Sequence, residues 1–143
     1  MISIKPIRTK SVLVVDDDVD ALLEIAEALY EHDLPVHLAS DAVSAIELAF
    51  KFKPAFILMD YNLPGKNGVE AVASIQRFLP NATVIMMSGQ DDFCLLATTK
   101  NTNTFAILKK PLAMESIARF IKNQLDYATA NLKVTDLLTI NAS

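Results

Sequence analysis

Cysteine and glycine are scarce in this sequence, and each scarcity excludes a class of protein. The single cysteine, Cys94, excludes an internal disulfide and any zinc or iron–sulfur site built from several cysteines. Three glycines and six prolines in 143 residues, with 52% hydrophobic residues, exclude a collagen-like, low-complexity or disordered chain. A chain of this length is sufficient for one domain with its own hydrophobic core.

Long apolar runs and clusters of basic residues are also missing. The longest apolar stretches are about five residues, far below the roughly 18 that a membrane-spanning helix needs. Residues 1–10 include basic residues, but no apolar core region follows them, so we expect no signal peptide and a cytoplasmic protein. The net charge is −4, and no lysine and arginine cluster could neutralise several phosphates. We therefore expect neither a membrane nor a nucleic acid as a direct partner of this chain.

Short apolar segments alternate with segments of helical periodicity. The apolar segments, predicted to be strands, are residues 11–15, 36–39, 55–59, 83–87 and 105–108. Four of them are nearly continuous in hydrophobicity, which is typical of strands covered on both faces in a parallel sheet. The helical segments are residues 19–31, 42–52, 68–79, 91–100 and 113–126, and the fourth is weak because threonine and asparagine are poor helix formers. This order predicts an α/β fold, a doubly wound parallel sheet with helices on both faces.

The helical patterns also predict caps and inward faces. Asp41 and Asn67 stand where helix N-caps are expected. The periodicity places Leu23 in the apolar stripe of the first helix and Phe50 in that of the second.

Acidic residues follow the first and third predicted strands. Asp16, Asp17 and Asp18 are adjacent, and mutual repulsion gives three such carboxylates no role in a core. One of them could cap a helix while the others meet the positive end of its dipole. For three in a row we favour a hard-cation site, because Mg²⁺ binds carboxylate oxygens. Ligands of doubly wound sheets bind at the carboxyl ends of strands, so Asp60 is expected beside this cluster.

The fourth and fifth predicted strands end in residues suited to the same site. Ser88 offers a small hydroxyl, and Gly89 after it permits close approach of a backbone or ligand. Lys109 and Lys110, followed by Pro111, would bring positive charge to a site rich in carboxylates.

Four motifs together resemble the receiver domain of two-component response regulators. They are VLVVDDD at 12–18, ILMDYNLPGKNG at 57–68, MMSG at 86–89 and LKKPL at 108–112. The resemblance covers residues 10–127 and implies a flavodoxin-like (βα)5 fold with strand order 2-1-3-4-5. Residues 128–143 are expected to be a C-terminal tail, a linker or a helix extension, since they are too few for an output domain.

The resemblance implies a role for each matched acidic residue. Asp60 would accept a phosphoryl group. Asp16, Asp17 and Asp60 would hold Mg²⁺ or Mn²⁺, with the main-chain carbonyl of Asn62 as a further ligand. Asp18 matches a position that is often acidic without being a ligand.

The other matched residues would contact the phosphoryl group. Ser88 would donate a hydrogen bond to one phosphoryl oxygen and Lys110 would pair with another, with the Lys110–Pro111 bond cis. The donor would be a phosphohistidine of a sensor histidine kinase or phosphotransfer protein. The resulting switch would control a downstream target or an output domain, and the only catalysis would be of its own phosphorylation and dephosphorylation.

The strongest departure from the family pattern lies in the fifth strand. Receivers usually carry an aromatic residue where this chain has Ile107, and the preceding loop reads Asn-Thr-Asn-Thr at 101–104 in place of Gly-Ala. By the two-residue period of a strand, Phe105 is predicted to lie on the same face as Ile107. We expect the conformational change to run through residues 89–101 more than through this strand.

Two alternatives remain at the level of sequence. A receiver-like interaction module that works without phosphorylation usually loses an acid, the serine or the lysine, and all are kept here. A phosphatase of the haloacid-dehalogenase type needs a second aspartate as general acid two residues after the nucleophile, and this chain has Asn62 at that position.

Overall fold

The computed structural model describes residues 9–89 and 102–126. Five parallel strands form one sheet in the order β2-β1-β3-β4-β5, the order that the resemblance implied. The strands are Thr9–Val15 (β1), Val36–Ala39 (β2), Pro54–Asp60 (β3), Thr83–Ser88 (β4) and Thr104–Lys109 (β5). The helices of the described residues are Val19–Glu31 (α1), Ala42–Phe52 (α2), Gly68–Gln76 (α3) and residues 114–126 (α4). The predicted helix at 91–100 lies outside the described residues.

The central strands separate two apolar layers. Successive side chains of a strand point to opposite faces, so Leu13 and Ile57 pack towards α2 and α3, while Val14 and Leu58 pack towards α1 and α4. All seven residues of β3 are buried. This burial on both faces explains why the strand segments are continuously apolar rather than alternating.

Side-chain caps fix where three of the helices begin. Each cap oxygen accepts backbone N–H groups that the first turn leaves without a partner inside the helix. Asp41 and Asn67 cap α2 and α3 as predicted, and Asp18 caps α1. Each of these three helices therefore begins directly after its capping residue.

Two predicted core residues are exposed instead. Leu23 is 57% exposed and Phe50 is 66% exposed. In each helix the preceding residue, Leu22 or Ala49, is buried, and a step of one residue turns a side chain by about 100° around the axis. The buried stripes are thus one residue narrower than the sequence pattern suggested.

An irregularity in β5 overturns the predicted facing of Phe105. Val84 pairs with Thr104, but the next residue of β4 pairs with Ala106, so β5 contains one extra residue at Phe105. Ile107 packs against the α2 and α3 layer. The Phe105 ring is instead stacked on Phe120 of α4, with centroids 5.7 Å apart. A two-residue period cannot be carried through a bulge, which is why the prediction was wrong.

No helix among residues 9–89 and 102–126 is long and apolar enough to cross a membrane.

Candidate functional site

Four predicted site residues meet at the carboxyl edge of the sheet. Asp16 follows β1, Asp60 ends β3, Ser88 ends β4 and Lys110 follows β5. Asp16, Asp60 and Ser88 are buried, with at most 4% of each exposed. Buried carboxylates need partners, because an unpaired charge away from water is costly.

Lys110 supplies the charged partner. Its Nζ lies 2.6 Å from Oδ2 of Asp16 and 3.0 Å from Oδ2 of Asp60. Its backbone N–H donates to the Ser88 carbonyl at 2.8 Å, which continues the pairing of β5 with β4 past the strand end. The Lys110–Pro111 bond is cis, as the resemblance implied. The ammonium group therefore bridges the two buried carboxylates.

Backbone N–H groups hold the other oxygens of the same carboxylates. Asp18 donates its N–H to Oδ1 of Asp16, and Asn62 donates its N–H to Oδ1 of Asp60, each at 3.0 Å. Each buried carboxylate is thus held by a main-chain donor on one oxygen and by Lys110 on the other. Both carboxylates are fixed in orientation before any ligand binds.

Burial sets the acid–base behaviour of Asp60. Removal from water raises the pKa of its carboxyl above the ordinary value. The Asn62 N–H and Lys110 oppose this shift, while the negative charge of Asp16 adds to it. Burial also lowers the pKa of Lys110, but its hydrogen bonds to the two aspartates outweigh that effect, and its pKa lies above the ordinary value.

Asp17 completes a group of oxygen ligands. It is exposed, and carboxylate oxygens of Asp16, Asp17 and Asp60 lie within 4.8 Å of one another. Carboxylate oxygens are the ligands that Mg²⁺ and Ca²⁺ prefer. The cluster could therefore bind a metal ion, and the donor set fits a hard divalent cation. The Asp18 carboxylate instead caps α1, where it accepts the N–H groups of Asp20 and Ala21.

Gly68 is a residue of this site that sequence reasoning missed. A Cβ at this position would lie 2.2 Å from the main-chain oxygen of Asp60, closer than atoms can approach. The Gly68 N–H also donates to the Tyr61 carbonyl at 2.9 Å. Absence of a side chain lets α3 begin against the end of β3. The signal in the sequence was a glycine at the first position of a predicted helix, where glycine is otherwise unfavourable.

Comparison with known proteins shows the family of this chain. Residues 12–122 match the family model described as "Response regulator receiver domain". The chain is 22% identical over 116 residues to the sporulation initiation phosphotransferase F of Bacillus subtilis (strain 168), covering 81% of this chain and 94% of that protein. It is 28% identical over 111 residues to the transcriptional regulatory protein PdtaR of Mycobacterium tuberculosis (strain ATCC 25618 / H37Rv), covering 76% of this chain and 53% of that protein. The chain therefore spans nearly all of the first relative and about half of the second.

A solved structure shares the fold. The response regulator receiver domain protein (CheY-like) from Methanospirillum hungatei JF-1 aligns with a TM-score of 0.77 at 24% identity, over 85% of this chain and 98% of that chain. The family model covers most of the sequence. The chain belongs to the receiver domains of two-component response regulators.

Proposed function

We propose that Asp60 is the phosphoryl acceptor of this receiver domain and that the donor is a phosphohistidine of a sensor histidine kinase or phosphotransfer protein. The observation that carries the proposal is the bridging contact of Lys110 with the buried carboxylates of Asp60 and Asp16. Asp60, the proposed nucleophile, and Asp16 thus both lie within hydrogen-bonding distance of the Lys110 ammonium. These residues lie at the edge of the sheet where ligands of such folds bind.

The transfer needs few groups from the protein. A carboxylate oxygen of Asp60 forms a bond to phosphorus while the bond from phosphorus to the histidine nitrogen breaks. The electron pair of that bond leaves with the imidazole, which takes up a proton, and Asp60 becomes an acyl phosphate. Lys110 would pair with a phosphoryl oxygen, and Ser88 would donate its hydroxyl to another. Positioning and charge neutralisation are the main contributions, as in phosphoryl transfer generally.

The charge of the cluster supports a divalent cation as cofactor. Three carboxylates and one ammonium leave two negative charges when all four groups are ionised, and a divalent cation would offset both. Asp16, Asp17 and Asp60 would hold Mg²⁺ or Mn²⁺, with the main-chain carbonyl of Asn62 as a further ligand. The bound cation would supply positive charge to the phosphoryl oxygens.

The same proposal sets the limits of the activity. The chain would catalyse only its own phosphorylation and dephosphorylation, and Asn62, an amide, cannot serve as the general acid of a haloacid-dehalogenase-type phosphatase. The receiver unit would span residues 10–127, with residues 128–143 as a tail, linker or helix extension. The switch would act in the cytoplasm on a downstream target or an output domain, without contact to nucleic acid or membrane by this chain.

Phosphorylation of matched variants tests the proposal. The wild type and Asp60→Asn are incubated with acetyl phosphate and Mg²⁺, and intact mass is measured over time. Asp18→Asn is the control, because it removes a carboxylate next to the cluster but outside the proposed ligand set, and asparagine still caps α1. We expect one phosphoryl group on the wild type and on the control, and none on Asp60→Asn.

Two results would contradict the proposal. Equal phosphorylation of Asp60→Asn would move the acceptor to another residue. Absence of phosphorylation of the wild type, with acetyl phosphate and with phosphohistidine donors alike, would favour a receiver-like module that binds its partner without phosphorylation.

A further inference from the structure

The backbone that precedes β5 is held by a side chain of α3. Gln76, the last residue of α3, donates an N–H of its Nε2 to the main-chain carbonyl of Asn103 at 2.9 Å. Its Oε1 accepts the main-chain N–H of the same residue at 3.1 Å. One side-chain amide thus satisfies both backbone polar groups of Asn103, as a neighbouring strand would. We call these two hydrogen bonds the Gln76 clamp.

The Gln76 clamp lies directly before the bulge of β5. Val84 pairs with Thr104, but the next residue of β4 pairs with Ala106, so Phe105 is the extra residue. A bulge disrupts the ladder of hydrogen bonds at its extra residue, and other contacts have to stabilise it. The clamp is such a contact, because it fixes the backbone of the residue that precedes Thr104.

A hydrogen bond between two threonines also favours the bulged pairing. The hydroxyl groups of Thr102 and Thr104 lie 2.8 Å apart. Paired residues of neighbouring strands point to the same face of a sheet, and Val84 packs in the α2 and α3 layer. Thr104 therefore faces that layer, and a threonine takes the place beside Val84.

β5 has a second possible register, which needs no bulge. Its C-terminal end is fixed by the pairing of Lys109 with Ser88. If that pairing is kept and the bulge is removed, Phe105 comes opposite Val84. Its ring would then point towards the α2 and α3 layer, as strict alternation along a strand requires. In the structure the ring is instead 61% exposed and stacked on Phe120 of α4.

We propose that Gln76 is a positioning residue for Phe105, and that the Gln76 clamp keeps β5 in the bulged register with this ring on the α4 side of the sheet. Without the clamp, the backbone at Asn103 shifts by one residue along the strand, and β5 pairs in the regular register. The two registers place the ring on opposite faces, so the clamp decides whether the α4 side carries an exposed aromatic ring. The proposal is independent of phosphorylation at Asp60, because Lys109 keeps its pairing in both registers.

Nuclear Overhauser effects between selectively labelled side chains test the proposal on the unphosphorylated protein. In the wild type we expect effects between the rings of Phe105 and Phe120, and none between Phe105 and the methyl groups of Val84. Gln76→Ala removes both hydrogen bonds of the clamp. In this variant we expect the effects to Phe120 to be lost and effects to Val84 to appear. The matched control, Gln124→Ala, replaces an exposed glutamine of α4 and should give the wild-type pattern.

Two further variants test the contacts separately. Gln76→Glu can accept the N–H of Asn103 but cannot donate to its carbonyl, and we expect the same change of pattern. Thr104→Val removes the hydroxyl contact and should populate the regular register beside the bulged one.

Three results would overturn the proposal. The first is the wild-type pattern in Gln76→Ala. The second is contact between Phe105 and Val84 in the wild type, which would mean that the clamp does not hold the bulge. The third is loss of the effects to Phe120 in Gln76→Ala without new effects to Val84, since β5 would then fray and not change register.

Discussion

At the scale of the residue, the ionised form of Asp60 is costly in the unliganded protein. Burial raises its pKa in the folded state, so between its unfolded and folded pKa values the folded protein binds more protons. Stability therefore falls as pH rises through that window and stays reduced at neutral pH.

Replacement of Asp60 by asparagine should remove this cost. We expect Asp60→Asn to melt at a higher temperature than the wild type at pH 7 without divalent cations, since Lys110 keeps its contact with Asp16 at 2.6 Å. The gain should shrink as pH is lowered towards the ordinary aspartate pKa. Thermal melts at several pH values measure it, with Asp18→Asn as control. A gain that is constant with pH would assign the effect to something other than ionisation.

Gly68 is the residue at which a single methyl group should disturb the site. Gly68→Ala sets its Cβ against the main-chain oxygen of Asp60, which cannot rotate away. We expect a loss of about 1–3 kcal/mol in the free energy of unfolding, the usual cost of overpacking, and slower phosphorylation by acetyl phosphate. Urea unfolding and intact mass measure the two effects. Gly89→Ala is the control for stability, because a Cβ there meets no atom within 4 Å, and equal losses would show that the clash is relieved.

At the scale of the element, β2 carries a histidine, His37, whose neutral form is favoured by burial. The His37 ring stacks on Phe52 at the end of α2, with centroids 4.0 Å apart. Burial lowers the pKa of His37, so the unfolded chain binds a proton more readily, and stability should fall as pH drops through about 6.5 and below.

Replacement of the titrating ring by a neutral one tests this dependence. His37→Phe keeps an aromatic ring against Phe52, and we expect it to lose less stability than the wild type between pH 7.5 and 5.5. Urea unfolding at the two pH values gives both losses. Identical losses would place the acid sensitivity elsewhere in the protein.

The side chain of Ile107 gives β5 little rotational freedom at this position. Ile107 pairs with Met86 and packs against the α2 and α3 layer, and its β-branched side chain is restricted in rotation. We predict that a beryllofluoride mimic of the phosphoryl group changes amide hydrogen exchange in residues 89–101 more than in 105–108. The threonine- and asparagine-rich sequence up to residue 104 has little intrinsic helicity to lose. Changes confined to 105–108 would refute this route.

Local chemistry made most of the elements predictable from the sequence. Strands buried on both faces are continuously apolar, and Asp41 and Asn67 mark helix starts because few residues can cap. The meeting of Asp60 with Asp16 followed from the rule that parallel strands present their carboxyl ends at one edge.

Other features depend on contacts between distant residues and could not be predicted. The bulge at Phe105 shifts the alternation of side chains between the two faces of the sheet by one residue, and no sequence pattern marks it. The split of Asp16 and Asp17 into a buried and an exposed carboxylate depends on how β1 ends, and not on residue type. Phe50 is as apolar as its buried neighbours, and only the packing of α2 on its alanines leaves it outside.

At the scale of the whole molecule, the cation should be coupled to folding. Of the proposed ligands, Asp16 follows β1 and Asp60 ends β3, so folding brings them together. A cation that binds both therefore favours the folded state by mass action. At a free concentration about ten times the dissociation constant the gain is about 1.4 kcal/mol. We therefore expect Mg²⁺ to raise the melting temperature by several degrees at constant ionic strength.

Matched asparagine variants separate binding from general salt effects. Asp17→Asn should weaken the Mg²⁺-dependent gain, because Asp17 belongs to the proposed ligand set. Asp18→Asn should leave the gain unchanged, because Asp18 caps α1. A melting temperature indifferent to millimolar Mg²⁺ would contradict the shared cation site.

The complete burial of β3 affects which parts of this molecule can move when the charge at Asp60 changes. Amides of a strand buried along its whole length exchange only when the entire protein unfolds, so the backbone that carries Asp60 belongs to the least mobile part of the fold. The proposed acceptor is then a fixed point, and we expect any displacement that follows a change of charge there to occur in the loops around it. A partner protein would detect phosphorylation as movement of those loops relative to a stationary sheet.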